Sequence, residues 1–318
     1  MALFDDGGVL TELLEALSSA DPERRRVALI ELGDVAEPMA RTHVLAALGD
    51  PEATVREAAI RALVEIDGAG CAAALVAALE DEAEPVRHAA AEALADGGAA
   101  GADALLIQRI GHPDAFVREA VLRALTNLRC GAALEPALLA LGSDPEARVR
   151  QAAAAMLGWL RDGRAVRGLM AACGDPGAAV RRAAVGALIF ARDQVVRETV
   201  LAVLRDPDWQ VRETAAQVLG KIGVGEDIAP LIAAMADPYW QVRAKAAETL
   251  GKSGRAEAIP ALAEALEHPV SNLRKSATAA LGEIAHPDAM PFLAARCDDP
   301  DPDVRKLNRW ARARIRED

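Results

Sequence analysis

The chain has 318 residues, of which 52% are hydrophobic but only 3% aromatic. Its apolar mass is therefore mostly Ala, Leu and Val, which argues against a large aromatic-filled sandwich or barrel and favours closely packed helices. The net charge of −12 argues against a general nucleic-acid binder.

The negative charge is concentrated at the start of the chain. Residues 1–100 carry 20 acidic and 7 basic side chains, whereas residues 101–318 carry 28 acidic and 29 basic ones. A solvated acidic surface is one interpretation, and a docking site for a basic partner in the first third is the other. Both stay open at this point.

Cysteine usage and hydropathy indicate the cellular compartment of the protein. The four cysteines lie far apart without a CxxC pair, and the start MALFDDGGVL has no secretory apolar segment. No apolar run approaches the roughly 18 residues needed to span a bilayer. We therefore expect a cytoplasmic protein without a membrane partner.

An arginine recurs through the chain at an almost constant interval. Every step is 31 residues, except one step of 32 between Arg118 and Arg150. This self-similarity predicts one repeat array of ten units over residues 1–318, and not two domains. The ten positions are Arg25, Arg56, Arg87, Arg118, Arg150, Arg181, Arg212, Arg243, Arg274 and Arg305.

Each repeat begins with a first helix, such as AIPALAEALE at 258–267. An Asp-Pro pair often follows it, because Asp caps a helix N-terminus and Pro suits the first helical turn. A second helix starts near a Val-Arg pair, with apolar residues at offsets −1, +3, +4 and +7 from the arginine. Leucine occupies the +7 position in nine of the ten repeats.

Each repeat is thus a helical hairpin with an apolar face that it cannot bury alone. Stacking of successive hairpins buries these faces. The sequence predicts an all-α fold, an α-solenoid of about ten 31-residue hairpins that forms a right-handed superhelix with a concave and a convex surface.

Two stretches show the repeat most clearly, DPDWQVRETAAQVLGKIG at 206–223 and DPYWQVRAKAAETLGKSG at 237–254. They resemble HEAT-like repeats of the phycobilisome (bilin) lyase type. Proteins with such repeats include bilin lyase subunits, assembly chaperones, scaffolds and some enzymes. In the wider HEAT family the recurring Asp and Arg pair across adjacent repeats. The resemblance therefore implies a structural ladder that includes Asp206, Arg212, Asp237 and Arg243, with Asp206 joined to Arg212 and its neighbours.

The resemblance also suggests a test for metal. Among HEAT enzymes, deoxyhypusine hydroxylase binds two irons through His-Glu pairs, but none of the five histidines here is followed by Glu. His112 and His268 precede Pro in the Asp column and are interpreted as turn residues. We predict no metal site and no cofactor.

Other catalytic patterns are missing as well. The sequence holds no Ser-His-Asp order, phosphate loop or dinucleotide fingerprint. Cys173 and Cys297 stand in the apolar column of the first helix and are expected in the core. We predict that the protein is not an enzyme. Lyase-type attachment of a chromophore is the only enzymatic hypothesis that stays open.

The second helices depart from the repeat at one exposed position. Offsets +1, +5 and +9 lie one helical turn apart and should line the concave face. At +9, polar residues give way to Trp159 and Phe190 in adjacent repeats, beside small residues at +5. This pattern predicts a shallow apolar recess with Gln151 and Arg182 at its edge, and burial of the rings against an altered helix is the alternative.

A second aromatic departure lies three residues before the arginine. Trp209 and Trp240 occupy this position in consecutive repeats, with Tyr239 beside the second. We expect the two tryptophans to stack at an edge of the solenoid. Adjacent exposed aromatics are typical of protein interfaces, and cover for the groove between repeats is the other interpretation.

The last helix, VRKLNRWARARIRED at 304–318, is the densest basic run. We expect it to be a polar cap for the array, or else a site for an anionic partner.

These observations favour a non-catalytic scaffold or assembly chaperone that cradles another protein on its concave face. The alternative, implied by the resemblance, is a bilin-lyase-like protein that holds a linear tetrapyrrole near Trp159 and Phe190, with Arg182 on a propionate. A third reading is a HEAT-like DNA-repair glycosylase, which would need a basic concave face that the charge pattern does not favour.

Overall fold

The computed structural model describes residues 6–35, 38–98 and 101–317, and the chain divides into two compact units, Met1–Leu160 and Arg161–Asp318. Every regular element in the described ranges is helical. We call the two units the N-terminal unit and the C-terminal unit.

The α-helices of the N-terminal unit alternate between a first and a second helix of each repeat. They are α1 (Asp6–Ala16), α2 (Pro22–Val35), α3 (Arg41–Ala47), α4 (Ala53–Asp67), α5 (Ala72–Ala78), α6 (Glu84–Ala93), α7 (Asp103–Arg109), α8 (Ala115–Leu128), α9 (Leu134–Ser143) and α10 (Ala147–Leu160).

The C-terminal unit continues the same alternation. Its α-helices are α11 (Val166–Ala172), α12 (Ala178–Ala187), α13 (Gln194–Val203), α14 (Trp209–Ile222), α15 (Ala229–Ala234), α16 (Trp240–Ser253), α17 (Ile259–Ala265), α18 (Ser271–Ile284), α19 (Met290–Ala294) and α20 (Pro302–Glu317).

The second helices form the stacked layer within each unit. In the N-terminal unit α2 packs on α4, α4 on α6 and α8 on α10. In the C-terminal unit the sequence of packed helices runs from α12 through α14, α16 and α18 to α20. The all-α solenoid class is therefore confirmed, whereas the single domain and the hand of the superhelix stay predictions.

The repeated columns explain this packing. The leucines at +7, such as Leu63, Leu125, Leu219 and Leu250, are fully buried. Neighbouring second helices approach closely where a glycine stands at +8. A methyl group on Gly251 would lie 2.7 Å from the Ala280 Cα, so a larger residue there would force α16 and α18 apart.

Two second helices are shorter than the others. Helix α6 ends at Ala93 and continues as a π-helical turn over Leu94–Gly98, and α12 ends at Ala187 and continues as a 3₁₀ turn over Leu188–Phe190. Phe190 therefore does not occupy the regular helical +9 position on which its predicted place was based.

Two further expectations concern the core and the membrane. Cys173 is half-buried, but Cys297 is exposed, so the prediction of a core position was wrong for Cys297. Helix α19, which precedes it, ends at Ala294, and Cys297 lies in the turn that follows. Among the helices described, none is long and apolar enough to cross a membrane.

Candidate functional site

The aromatic departure of the C-terminal unit forms a compact surface, which we call the aromatic edge (Trp209, Tyr239 and Trp240). The Trp209 and Tyr239 rings are stacked, with centroids 5.2 Å apart and planes 11° from parallel. The stacked pair thus joins Trp209 to Tyr239, where the sequence predicted Trp209 and Trp240. Tyr239 is 45% exposed, while both tryptophans are half-buried.

Local structure holds Tyr239 in this position. It is the N-cap residue of α16, with extended backbone. Its N–H donates to Asp237 Oδ1 at 2.9 Å, and the Arg212 guanidinium lies 5.9 Å from its ring centroid. Because Arg212 and Asp237 also bind each other, the ring rests on side chains that are themselves fixed.

The pair Arg212–Asp237 is one rung of a recurring ladder. In each rung Arg Nε donates to Asp Oδ2 at 2.6–2.8 Å and Arg Nη2 donates to Oδ1 at 2.8–3.0 Å. The aspartate lies in the turn before the second helix of the following repeat. The rungs within the two units are Arg25–Asp50, Arg56–Asp81, Arg118–Asp144, Arg181–Asp206, Arg212–Asp237 and Arg274–Asp299.

The ladder differs in detail from its predicted form. Asp206 pairs with Arg181 of the preceding repeat, and Arg212 contacts Asp206 only through the backbone carbonyl, with Nη1 2.7 Å from that oxygen. The arginine therefore donates from Nη1 to the backbone of the turn in its own repeat, and from Nε and Nη2 to the aspartate of the next repeat.

Arg87 and Arg243 have no aspartate at the paired position of the following turn, so Arg243 does not take its predicted place in the ladder. The position where an aspartate would stand is occupied by His112 after Arg87 and by His268 after Arg243. In both arginines Nε is buried and has no hydrogen-bond partner within the described part of the chain.

The histidines keep the turn but lose the ion pair. His112 Nδ1 accepts the Asp114 N–H at 3.1 Å, and His268 Nδ1 accepts the Val270 N–H at 3.1 Å, as Asp Oδ1 does elsewhere. A neutral imidazole that accepts at Nδ1 carries its proton on Nε2, so it has no acceptor left for a guanidinium. The sequence interpretation as turn residues was right, but it missed this consequence.

The charges shift the pKa values of the ladder groups. The hydrogen bond from Arg274 lowers the pKa of Asp299. Burial opposes such a shift at Asp206, yet the hydrogen bond from Arg181 lowers the pKa of that carboxyl overall. Burial, together with the charges of Arg243 and Arg274, lowers the pKa of His268.

Burial raises the pKa of Cys173 to about 12, which makes a thiolate nucleophile unfavourable there.

The residues predicted to form the recess belong to two different units. In the N-terminal unit Trp159 is 56% exposed, with the Arg129 guanidinium 5.8 Å from its ring centroid, and Gln151 is half-buried. In the C-terminal unit Phe190 is half-buried, and exposed Arg182 donates to Gln210 Oε1 at 2.9 Å. A joint recess of these residues stays a prediction.

The N-terminal unit also carries a groove of about 650 Å³ across α2, α4 and α6. We call it the N-terminal groove. Its apolar lining includes Leu29, Ile30, Ile60 and Val64, together with several alanines. Four exposed carboxylates also line it, Asp34, Glu65, Glu92 and Asp96. Sequence analysis found the acidic excess of this region but not the groove, since helices from three repeats must pack together to form it.

Helix α20 ends the C-terminal unit with two unlike faces. Val304, Ala311 and Ile315 are buried, whereas the opposite face carries exposed basic residues. Trp310 is 41% exposed, and the Arg314 guanidinium lies 5.9 Å from its ring centroid. The role of this helix as a polar cap stays a prediction. Among the described residues, no group of three or more His, Cys, Asp or Glu side chains is placed to hold a metal ion.

Comparison with protein families matches a family model described as HEAT repeats to residues 10–95, 103–189, 166–238 and 228–311. Comparison with curated proteins gives no match.

Solved structures resemble the chain at low sequence identity. Kap95p, which binds RanGDP, is 14% identical with a TM-score of 0.68, over 98% of this chain and 51% of that one. YIBA_ECOLI is 18% identical with a TM-score of 0.64, over 77% of this chain and 92% of that one. The CpcE–CpcF phycocyanin lyase complex from Nostoc sp. PCC7120 is 21% identical with a TM-score of 0.46, over 67% of this chain and 94% of that one. The first two similarities concern the fold alone.

Proposed function

The chain belongs to the HEAT-repeat family, and we propose that it is a non-catalytic scaffold or assembly chaperone that binds another protein. The observation that carries this proposal is the aromatic edge. Trp209 and Tyr239 present a stacked pair of large rings at the surface, in positions where most repeats have no aromatic residue.

Physical reasons favour a binding role for these rings. Large aromatic side chains bury much apolar area at a small cost in side-chain entropy, and they are common at interface hot spots. Arg212 and the N-cap geometry fix Tyr239 before any partner arrives. A surface ordered in advance loses less conformational freedom on binding.

The fold gives supporting analogy. HEAT solenoids of similar fold include Kap95p, which binds RanGDP, and Kap121p, which was solved bound to Nup53p. Under this proposal Trp159, with Gln151 about two turns earlier on the same helix, supplies a further contact in the N-terminal unit. Phe190 and Arg182 do so in the C-terminal unit.

Photo-crosslinking tests the proposal. A benzophenone amino acid at position 239 is expected to crosslink a partner protein in lysate of the source cells, and the same amino acid at position 264 is not. Affinity capture with Trp209→Ala/Tyr239→Ala should recover at least about tenfold less of that partner, because removal of hot-spot aromatics costs more than about 1–2 kcal/mol.

Phe292→Ala is the matched control, since Phe292 is an exposed aromatic on α19. The proposal fails if the Trp209→Ala/Tyr239→Ala variant captures the same proteins in the same amounts as the unmodified chain. A bilin absorbance shift that depends on Trp159 would replace it with the chromophore-handling function.

A further inference from the structure

The N-terminal groove has an apolar floor that is open to solvent. Ile30 is 45% exposed, and Val64 on the next second helix is half-buried. Alanines of α4 and α6 line the groove between them. Exposed apolar floor inside a groove is typical of a surface that a partner covers.

The four carboxylates of the groove have no cationic partner of their own. The side-chain carboxylates of Asp34, Glu65, Glu92 and Asp96 form no hydrogen bond or ion pair with another described residue. The single basic residue of the lining, Arg61, is occupied by Glu57 on the same helix, with Nη2 2.6 Å from Oε1. The groove therefore presents concentrated negative charge that nothing in its surroundings neutralises.

The repeat itself does not require these charges. In the C-terminal unit the +9 position holds Lys221 on α14, Lys252 on α16 and Glu283 on α18, where the first three repeats have Asp34, Glu65 and Asp96. Both sets are exposed and contribute nothing to the core. Acidic residues at +9 in three consecutive repeats thus occur only in the repeats that form this groove.

From the floor and the charge together, we propose that the N-terminal groove binds a basic amphipathic helix of a partner protein. This inference rests on the proposed protein-binding function and names the chemistry of the partner. Apolar side chains of the helix at i, i+3 or i+4 and i+7 contact Ile30 and Val64. Lys or Arg side chains beside them meet the four carboxylates.

The spacing of the acids suits such a ligand. Positions +5 and +9 lie about 6 Å apart along a helix, and neighbouring second helices lie about 8–10 Å apart. A helix places side chains at i and i+4 about 6 Å apart, and at i and i+7 about 10.5 Å apart. Basic residues at these intervals therefore suit carboxylates on neighbouring second helices, such as Asp34 on α2 and Glu65 on α4, and the pair of Glu92 on α6 with Asp96 in the turn that continues it.

Direct binding of a synthetic peptide tests the proposal on the full chain. The probe is a labelled amphipathic peptide of Leu and Lys, about 14 residues or four helical turns long, followed by fluorescence anisotropy. A peptide of the same composition with the apolar order scrambled should bind at least about tenfold more weakly, since the floor would then be uncovered.

Two variants separate the contributions that the carboxylates and the apolar floor make to peptide binding. Glu65→Gln/Asp96→Asn and, separately, Ile30→Asp should each weaken binding about tenfold, the first because it removes half of the carboxylates. The matched control Glu264→Gln/Asp298→Asn removes two exposed carboxylates of the C-terminal unit and should leave binding unchanged.

The outcomes separate this inference from the proposed function. Equal binding of both peptides, or equal loss in the control variant, would overturn the groove proposal and indicate charge attraction alone. Competition by millimolar Mg²⁺ with no effect of Ile30→Asp would indicate an acidic surface only. Salt-sensitive self-association by sedimentation, lost in the groove variants, would make α20 of a second copy the occupant. Trp209→Ala/Tyr239→Ala should bind the peptide normally, so failure here leaves the aromatic edge untouched.

Discussion

Arg243 and Arg274 occupy the same position in consecutive repeats of the C-terminal unit, yet their surroundings differ. Arg274 binds Asp299 through two hydrogen bonds, of 2.7 and 2.9 Å, and both residues are buried. Arg243 meets His268 instead, and its buried Nε has no partner among the described residues. One residue in the following turn makes this difference.

The comparison separates two tasks that aspartate performs together. The backbone turn needs an acceptor for the N–H two residues later, which His268 Nδ1 supplies as well as Asp299 Oδ1 does. The link between repeats needs a second acceptor for the guanidinium, which the imidazole lacks. A broken rung therefore leaves the hairpin intact and weakens only the junction.

The largest expected effect comes from breaking the intact rung. Arg274→Met should lower the free energy of unfolding by about 3 kcal/mol, because it leaves the buried Asp299 carboxylate without its partner. Urea titration followed by far-UV circular dichroism measures this change.

Arg243→Met is the matched control and should change the free energy of unfolding by less than about 1 kcal/mol, since no ion pair is lost. Equal losses in the two variants would mean that the rung adds nothing beyond the packing of the arginine stem.

A smaller effect on stability is expected from restoring the missing Arg–Asp pair at Arg243. His268→Asp should raise the free energy of unfolding by about 1–2 kcal/mol, because it adds two charge-assisted hydrogen bonds to an arginine that is already in place. The same titration checks this gain, and a crystal structure of the variant should show the bidentate pair with Arg243.

The other broken rung provides the comparison. His112→Asp should give a smaller gain than His268→Asp, because Glu80 Oε2 lies 3.7 Å from His112 Nε2 and would repel a new carboxylate. Phe116 also lies under Arg87, 5.7 Å from its guanidinium. A larger gain at position 112 would contradict this account of the two sites.

The smallest expected effect is a dependence on pH. The folded protein lowers the pKa of His268 from 6.5, so the unfolded chain binds the proton more strongly. The stability linked to His268 is present above pH 6.5 and is lost as pH falls through the folded pKa. In thermal melts below pH 6.5, the melting temperature of the unmodified chain should therefore fall more steeply with pH than that of His268→Gln. Parallel curves for the two proteins would contradict a role of His268.

In stronger acid the intact rungs become the sensitive groups. The pKa of Asp299 lies below its ordinary value of 3.8 in the folded protein, so its stabilising effect is present above that pH and disappears as pH falls below it. This second loss should be smaller in an Asp299→Asn variant, in which the other rungs still titrate.

The sequence by itself determined the helical hairpins, their period of 31 residues and the solenoid class. These features follow from local rules, because the apolar spacing of a helix and the capping of a turn depend on residues a few positions apart. The same columns indicated which second-helix positions are exposed, and Trp159, Lys221 and Lys252 are exposed.

Only the tertiary structure decided which residues meet across repeats. It paired six of the recurring arginines with an aspartate 25 or 26 residues later, and it stacked Trp209 on Tyr239 in place of Trp240. It also gathered acidic residues from three repeats around the N-terminal groove. Such contacts depend on the distance and rotation between packed helices, which side-chain packing across the whole junction fixes and no single repeat encodes.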